Sequence, residues 1–367
     1  SATGADMARF MIAHLQEGRY DEERILSEDT ARRMRSQLFT HDERLNGLAH
    51  GFYEMDQNGQ EVIGHGGDTL LFHTLLALMP EKDVGLFVAY NSAGASELGG
   101  ELLSAFVDRY YPVTDGSPPT PSQEADWVDG ATGNYRMLRT SYTTPEKTME
   151  LLTAIRIQAV EENEVLVTTP FGQDRFMPTG PLVLREVHGE DMMVFRQDAQ
   201  GNITHAFADS VPVIALGKLA WYEAPSFHYG LFGVSLFLFL TTIIAAPVVF
   251  VVNRRRNDIA PQPFAAYAGR WVLGIAALLG ILVSVAVPLI LSDMEAAITG
   301  NVPFLDILFA LPLAIAVLTG LSFLFAILAW RNGYWTRWGR AHYTLVTMAA
   351  LAFTWALYYW NMLGGQF

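Results

Sequence analysis

Chemistry in this 367-residue chain has to be built without a thiol, because the sequence contains no cysteine. That excludes thiolate nucleophiles, Cys-ligated metals and disulfides. No Gly-x-Ser-x-Gly elbow and no His-Glu-x-x-His helix is present. His65 and His73 lie eight positions apart with no carboxylate at ligand spacing, so they read as surface or core histidines, and no metal or cofactor is expected. The stretch that remains is Gly64-His65-Gly66-Gly67-Asp68-Thr69. Small residues around a histidine let an extended substrate lie along a strand edge and pair with it. The same glycines would also suit a bulge or turn in an ordinary strand, with Asp68 as a turn residue.

The elements that must position this stretch are legible around it. Thr3-x-x-Asp6 opens a helix with Met7, Phe10, Met11 and Leu15 at helical spacing and Gly18 as a stop. A second helix runs from Ser27-x-x-Thr30 to about Leu38. The period then changes, and Gly51–Met55, Glu61–Gly64, Leu71–Met79 and Val84–Tyr90 read as strands. Gln57-Asn58-Gly59 and Pro80-Glu81-Lys82-Asp83 supply the turns, and a helix over about Ser96–Tyr110 closes the segment.

With those elements in place, two motifs carry a resemblance. Ser1-Ala2-Thr3-Gly4-Ala5-Asp6-Met7-Ala8-Arg9-Phe10-Met11 resembles the S-T-A-x-D-M-A-R-F helix of serine hydrolases related to class C β-lactamases and penicillin-binding proteins. Gly64–Thr69, with Pro80 and Asn91 downstream, resembles that family's G-H-x-G strand and hairpin. The likeness covers about residues 1–112, the final third of such a domain. It implies an α+β fold, a main-chain N–H on this strand completing an oxyanion hole, and His65, Gly66 and Gly67 as the substrate-binding strand. The family's nucleophile lies in Ser-x-x-Lys and its proton-transfer Tyr in Tyr-x-Asn. No Ser here is followed three positions later by Lys, and Tyr90-Asn91-Ser92 has the wrong spacing. The expectation is therefore no catalytic residue in these 367 residues and a missing N-terminal part of the same protein that carries the nucleophile.

Residues 113–127 form a Pro/Ser-rich linker. Beyond it, residues 128–222 alternate short strands with turns, namely Met149–Ile157, Glu164–Thr168, Asp174–Pro178, Leu182–Glu186, Met192–Arg196 and Ile203–Ala208. That pattern predicts a small antiparallel β-barrel or sandwich. It is similar to the lipocalin-like extensions fused to such hydrolases, and a spacer is the plainer role than a ligand-binding barrel.

The rest of the chain, 227–363, is apolar. The runs 227–252, 271–291, 304–330 and 342–362 are each about the length that crosses a hydrocarbon core as a helix, which predicts a four-helix transmembrane bundle in a lipid bilayer. Arg254, Arg255, Arg256 and Arg270 fall between the first two runs, and Arg331, Arg337 and Arg340 between the last two, whereas 292–303 has Asp293 and Glu295 without a cation. The positive-inside rule then places the soluble part outside the cell membrane. Ala276-x-x-x-Gly280 and Ala316-x-x-x-Gly320 predict close helix contacts. Residues 1–225 carry 17 Lys and Arg against 34 Asp and Glu, which excludes nucleic acid as a partner. The reading is a multidomain, membrane-anchored serine hydrolase acting on an amide or ester in a small molecule or peptide. The alternative is a non-enzymatic membrane-tethered sensor of peptide or cell-wall fragments.

Overall fold

The computed structural model describes residues 2–69, 71–92, 94–113, 120–122, 125–161, 164–255, 262–292 and 305–363. Two compact units are present, one of Ser1–Arg139 with Thr153–Leu219 and one of Thr140–Leu152 with Ala220–Phe367.

In the first unit, helix α1 (Gly4–Leu15) starts at a capping box in which Thr3 and Asp6 exchange side-chain and backbone hydrogen bonds. The chain leaves it through Gly18 at φ +86°, where a Cβ would meet the Leu26 carbonyl oxygen at 2.4 Å. Short strands β1 (Arg19–Tyr20) and β2 (Glu23–Arg24) and helix α2 (Glu28–Arg35) follow. The antiparallel sheet runs β3 (Tyr53–Glu54), β4 (Ile63–Asp68), β5 (His73–Met79), β6 (Val84–Tyr90). Asn58 and Gly59, both at positive φ, make the β3–β4 turn, and Asp83 at φ +53° ends the β5–β6 turn. One sheet face buries Ile63, Leu76 and Leu78 against Met11 of α1, and the other buries Val62, Leu75, Ala77 and Met79 against Leu103 and Val107 of helix α3 (Leu98–Tyr110). The alternation along β4 and β5 thus serves two cores, one on each side.

After the short helix α4 (Val128–Ala131) come eight strands: β7 (Gly133–Met137), β8 (Ile155–Glu161), β9 (Glu164–Thr168), β10 (Gln173–Gly180), β11 (Val183–Glu186), β12 (Met192–Gln197), β13 (Ile203–Ala208) and β14 (Ala215–Lys218). Each pairs with the next and β14 pairs with β7, so they close into an antiparallel barrel. The expected barrel is present, with two corrections. Residues 149–154 are not strand, because Pro145–Met149 and helix α5 (Glu150–Thr153) coil there first; Pro145 presets the helical φ. The short closing strand β14 gave no readable run. The interior is filled by Tyr135, Ile157, Val165, Phe176, Leu184 and Phe195 among others. Burial pushes the Tyr135 phenol up, and its hydroxyl donates to the Ala131 carbonyl at 2.7 Å.

The loop over residues 39–48 joins sheet to barrel within this unit. Leu45 is buried with Val183, Val194 and Phe207, and the His41 ring stacks on Phe207 at 4.6 Å. The Asn46 backbone N–H donates to Asp209 at 2.5 Å, and Arg196 donates to the His41 carbonyl at 2.8 Å.

The second unit holds helices α6 (Pro225–Arg255), α7 (Phe264–Ser292), α8 (Leu305–Asn332) and α9 (Arg337–Tyr359). Among the described residues three stretches are long and apolar enough to cross a membrane, Pro225–Val249, Phe264–Ile290 and Ala310–Asn332. The fourth expected span, 342–362, is not among them: α9 opens with Arg337, Arg340 and His342, carries Thr344, Thr347 and Thr354, and is followed by Trp360-Asn361. It is instead the packed centre, burying Tyr343, Val346, Ala350, Phe353, Ala356 and Leu357. Gly280 seats the Phe239 ring, where a Cβ would lie 2.6 Å away, whereas Gly320 faces open space. Trp360 is buried and donates its indole N–H to His228 Nδ1 at 3.1 Å. Lys147 caps the α9 carboxyl end by donating to the Tyr359 carbonyl at 2.9 Å, and Asn361 donates to the Tyr142 carbonyl at 2.9 Å. Residues 293–304, with Asp293 and Glu295, lie outside the described residues, as does much of the expected linker.

Burial raises the Asp209 carboxyl to about 6, with Asp191 and Asp56 adding repulsion and the Asn46 N–H and Arg185 opposing it. A carboxyl whose folded pKa exceeds its unfolded value contributes stability below the unfolded value that is lost as pH rises through the folded one. The stability of the detergent-solubilised chain, followed by thermal melting, should therefore fall between about pH 4 and pH 6 by an amount of order 1 kcal/mol, discounted for the partial exposure of the group. Asp209→Asn should flatten that slope. An unchanged slope in the variant would show that the 39–48 contact does not carry it.

Candidate functional site

Strand β4 is held on one side along its whole length by β5, from Ile63↔Leu78 to Asp68↔His73, but on the other side β3 pairs only with Ile63 and Gly64. Past Gly64 the second edge has no strand partner among the described residues. Backbone groups alternate sides along an antiparallel strand, so Gly66 and Asp68 turn toward that open edge. In agreement, the Gly66 N–H donates to the Tyr53 hydroxyl, and Nδ1 of the exposed His65 contacts the Gly66 carbonyl oxygen. The Tyr53 and His65 rings lie 5.1 Å apart.

The glycines are there because side chains do not fit. A Cβ on Gly64 would stand 2.2 Å from the Leu76 carbonyl oxygen, one on Gly66 2.9 Å from the Tyr53 hydroxyl, and one on Gly67 2.7 Å from Thr74 Oγ1. The first clash is with backbone and fixes sheet packing. The other two are with movable side chains and leave the open edge clear. His65, Gly66 and Gly67 line one cleft of about 470 Å³ together with Met7 and Phe10 from α1 and Phe52 before β3. The sequence-predicted site residues are thus brought together at one opening.

A pair that the sequence reading took for a turn residue and a solitary histidine sits at the end of the same strand. Asp68 Oδ1 and His73 Nδ1 are 2.6 Å apart across the β4–β5 register, with His73 buried and Asp68 exposed. His73 Nε2 is buried without a hydrogen-bond partner among the described residues. The signal was their five-residue separation around a turn, visible only once the register is known. The Thr69 N–H donates to the Phe72 carbonyl at 2.8 Å and closes that turn, so β5 begins at His73 and not at Leu71 as expected. Among the described residues no three His, Asp or Glu side chains converge as metal ligands.

The arrangement can pair with an extended chain and present N–H groups to a developing oxyanion; among the described residues it brings no Ser and Lys together at the cleft. Comparison with known proteins bears on the same segment. No curated protein matches the chain. Two solved structures, titled "Crystal structure of SurE with D-Leu" and "Crystal structure of SurE", align at a TM-score of 0.33 each, with 16% and 17% identity over 53% of this chain. The chain spans 44% and 43% of their length, and at that score no shared fold is defined. The family model described as Beta-lactamase matches residues 1–105, the segment that holds α1, the sheet and the His65 strand.

Proposed function

We propose that residues 1–105 form the substrate-facing wall of a serine hydrolase of the class C β-lactamase and penicillin-binding-protein type. In this reading the nucleophile is supplied by a Ser-x-x-Lys segment that is not among the 367 residues. The observation that carries it is the open edge of β4, where Gly66 and Asp68 turn their backbone groups away from β5 beside the exposed His65. A serine oxygen attacking an ester or amide carbonyl builds negative charge on the carbonyl oxygen, and a main-chain N–H of this edge stabilises that charge as the acyl-enzyme forms. The Tyr53 hydroxyl yields the Gly66 N–H when substrate pairs with the strand. His65 orients the bound acyl group or the proton-transfer residues. The barrel is lipocalin-like in its up-and-down order, and its filled interior suits it to support and not to ligand capture. The helices anchor the protein as a four-span bundle in which α9 also crosses, with the hydrolase wall outside the cell.

The test uses the complete reading frame together with the 367-residue chain. The chain alone should take no covalent label from a fluorescent penicillin or a fluorophosphonate, whereas the complete protein should take one equivalent. In the complete protein His65→Ala should lower turnover by about 10²-fold with an unchanged melting temperature, and Gly66→Val by more, because a branched side chain blocks the edge. A labelled Ser within 1–112 of the chain alone would show a nucleophile assigned to the wrong segment. Unchanged turnover in both variants would remove β4 from the site, and a reading frame without Ser-x-x-Lys would favour the tethered sensor.

Orientation is tested separately. Single cysteines at Arg255, Asp293 and Arg337 should react with an impermeant thiol reagent from outside intact cells only at position 293, following the confinement of arginine to the other two connections. Labelling at 255 would reverse the topology.

A further inference from the structure

The α6–α7 and α8–α9 connections and the residues beside them carry Arg254, Arg255, Arg256, Arg270, Arg331, Arg337 and Arg340 against one acidic residue, Asp258. So strong an excess calls for counter-charge from outside the protein. Two of these arginines are held in place. The Arg270 guanidinium carbon lies 5.2 Å from the Trp335 ring centroid, and that of Arg340 lies 5.1 Å from Trp330. The two perches belong to one corner of the unit. Trp335, at φ +57° in the α8–α9 turn, packs on Tyr343 at 4.8 Å, and the Tyr343 hydroxyl donates to the carbonyl of Gly269, next to Arg270, at 3.1 Å. Arg340 stands one helical turn before Tyr343, with Nη1 3.5 Å from where a Cβ on Gly333 would be.

Stacking uses only the face of a guanidinium and leaves its N–H fork free. Arg340 Nε is buried with no hydrogen-bond partner among the described residues, and Arg270 is exposed in the first two turns of the apolar span Phe264–Ile290. Phe264, Trp271 and Trp338, which lie within six residues of Arg270 or Arg340 in the sequence, are all strongly exposed, as residues of a lipid–water interface are. A guanidinium fork matches the oxygens of phosphate bidentately. At this depth the abundant phosphates are those of lipid headgroups, and anionic headgroups alone supply the missing charge.

We propose that Arg270 and Arg340, braced by Trp335 and Trp330, form a binding site for the phosphate of an anionic phospholipid. The test is a titration of the full chain with phosphatidylglycerol in detergent, followed by native mass spectrometry, with phosphatidylcholine as comparison. The unaltered chain should retain phosphatidylglycerol in preference to phosphatidylcholine. Each guanidinium removed should weaken retention about fivefold, so Arg270→Gln with Arg340→Gln should weaken it about 25-fold. Arg254→Gln with Arg255→Gln, which removes equal charge, should change it little. The double lysine variant at 270 and 340 keeps both charges and guards against misfolding; it should melt as the unaltered chain does in phosphatidylcholine and still bind more weakly. Unchanged binding in any folded variant of the pair, or an equal loss in the 254/255 control, overturns the site. Stabilisation by inorganic phosphate equal to that by phosphatidylglycerol would make it a soluble-anion site and overturn the lipid assignment.

Discussion

Everything at the candidate site depends on one steric constraint, the absence of side chains at Gly64, Gly66 and Gly67. At Gly64 the Leu76 carbonyl oxygen would lie 2.2 Å from a Cβ, so β4 lies flat on β5 only if position 64 is bare. At Gly66 and Gly67 the constraint is softer and serves access, since the neighbours are a tyrosine hydroxyl and a threonine hydroxyl that can move. Among the described residues β4 is pinned along one side by β5 and paired by β3 on the other only at Ile63 and Gly64, which is the rigid, accessible edge that the proposed role requires. The two apolar layers on the sheet, around Met11 and around Leu103, hold that edge in place.

The remaining architecture divides the physical tasks. Side chains fill the barrel to its axis, and its outer face is tied to the loop at 39–48 by Leu45 packing and the Asn46–Asp209 hydrogen bond, so within this unit sheet and barrel form one body. The helical unit is held by different forces. Ring contacts around Phe239 and Phe353, 5.5 Å apart, and a glycine seat at Gly280 replace hydrophobic exclusion, which drives little association between helices in lipid. Its seven arginines lie in or beside the two connections whose corner carries the stacked Arg270 and Arg340.

Local signals were legible in the sequence where they were strong and near. The capping box at Thr3, the positive-φ turn at Asn58-Gly59 and strand β6 stand where periodicity and turn chemistry put them, whereas β4 runs Ile63–Asp68 and not Glu61–Gly64 as expected. Long-range facts were not legible. The Asp68–His73 pair needs the β4–β5 register, and the closing strand β14 is too short to show a period. At 149–154 the apolar residues suggested strand, but Pro145 starts a helical turn whose last residues pack toward the helices. Helix α9 is less apolar than the other three helices, and its packing against them through Tyr343, Val346, Ala350 and Phe353 was not legible in the sequence.

The central claim is that the β4 edge binds the reacting carbonyl, and amide hydrogen exchange tests it most directly. In the complete protein, exchange over Gly64–Thr69 is to be measured before and after covalent reaction with a phosphonate that mimics the tetrahedral adduct. The account predicts marked slowing at the backbone amides of Gly66 and Asp68 with little change at Ile63 and Leu78, which are already paired. Equal exchange at Gly66 and Asp68 with and without the adduct would contradict it.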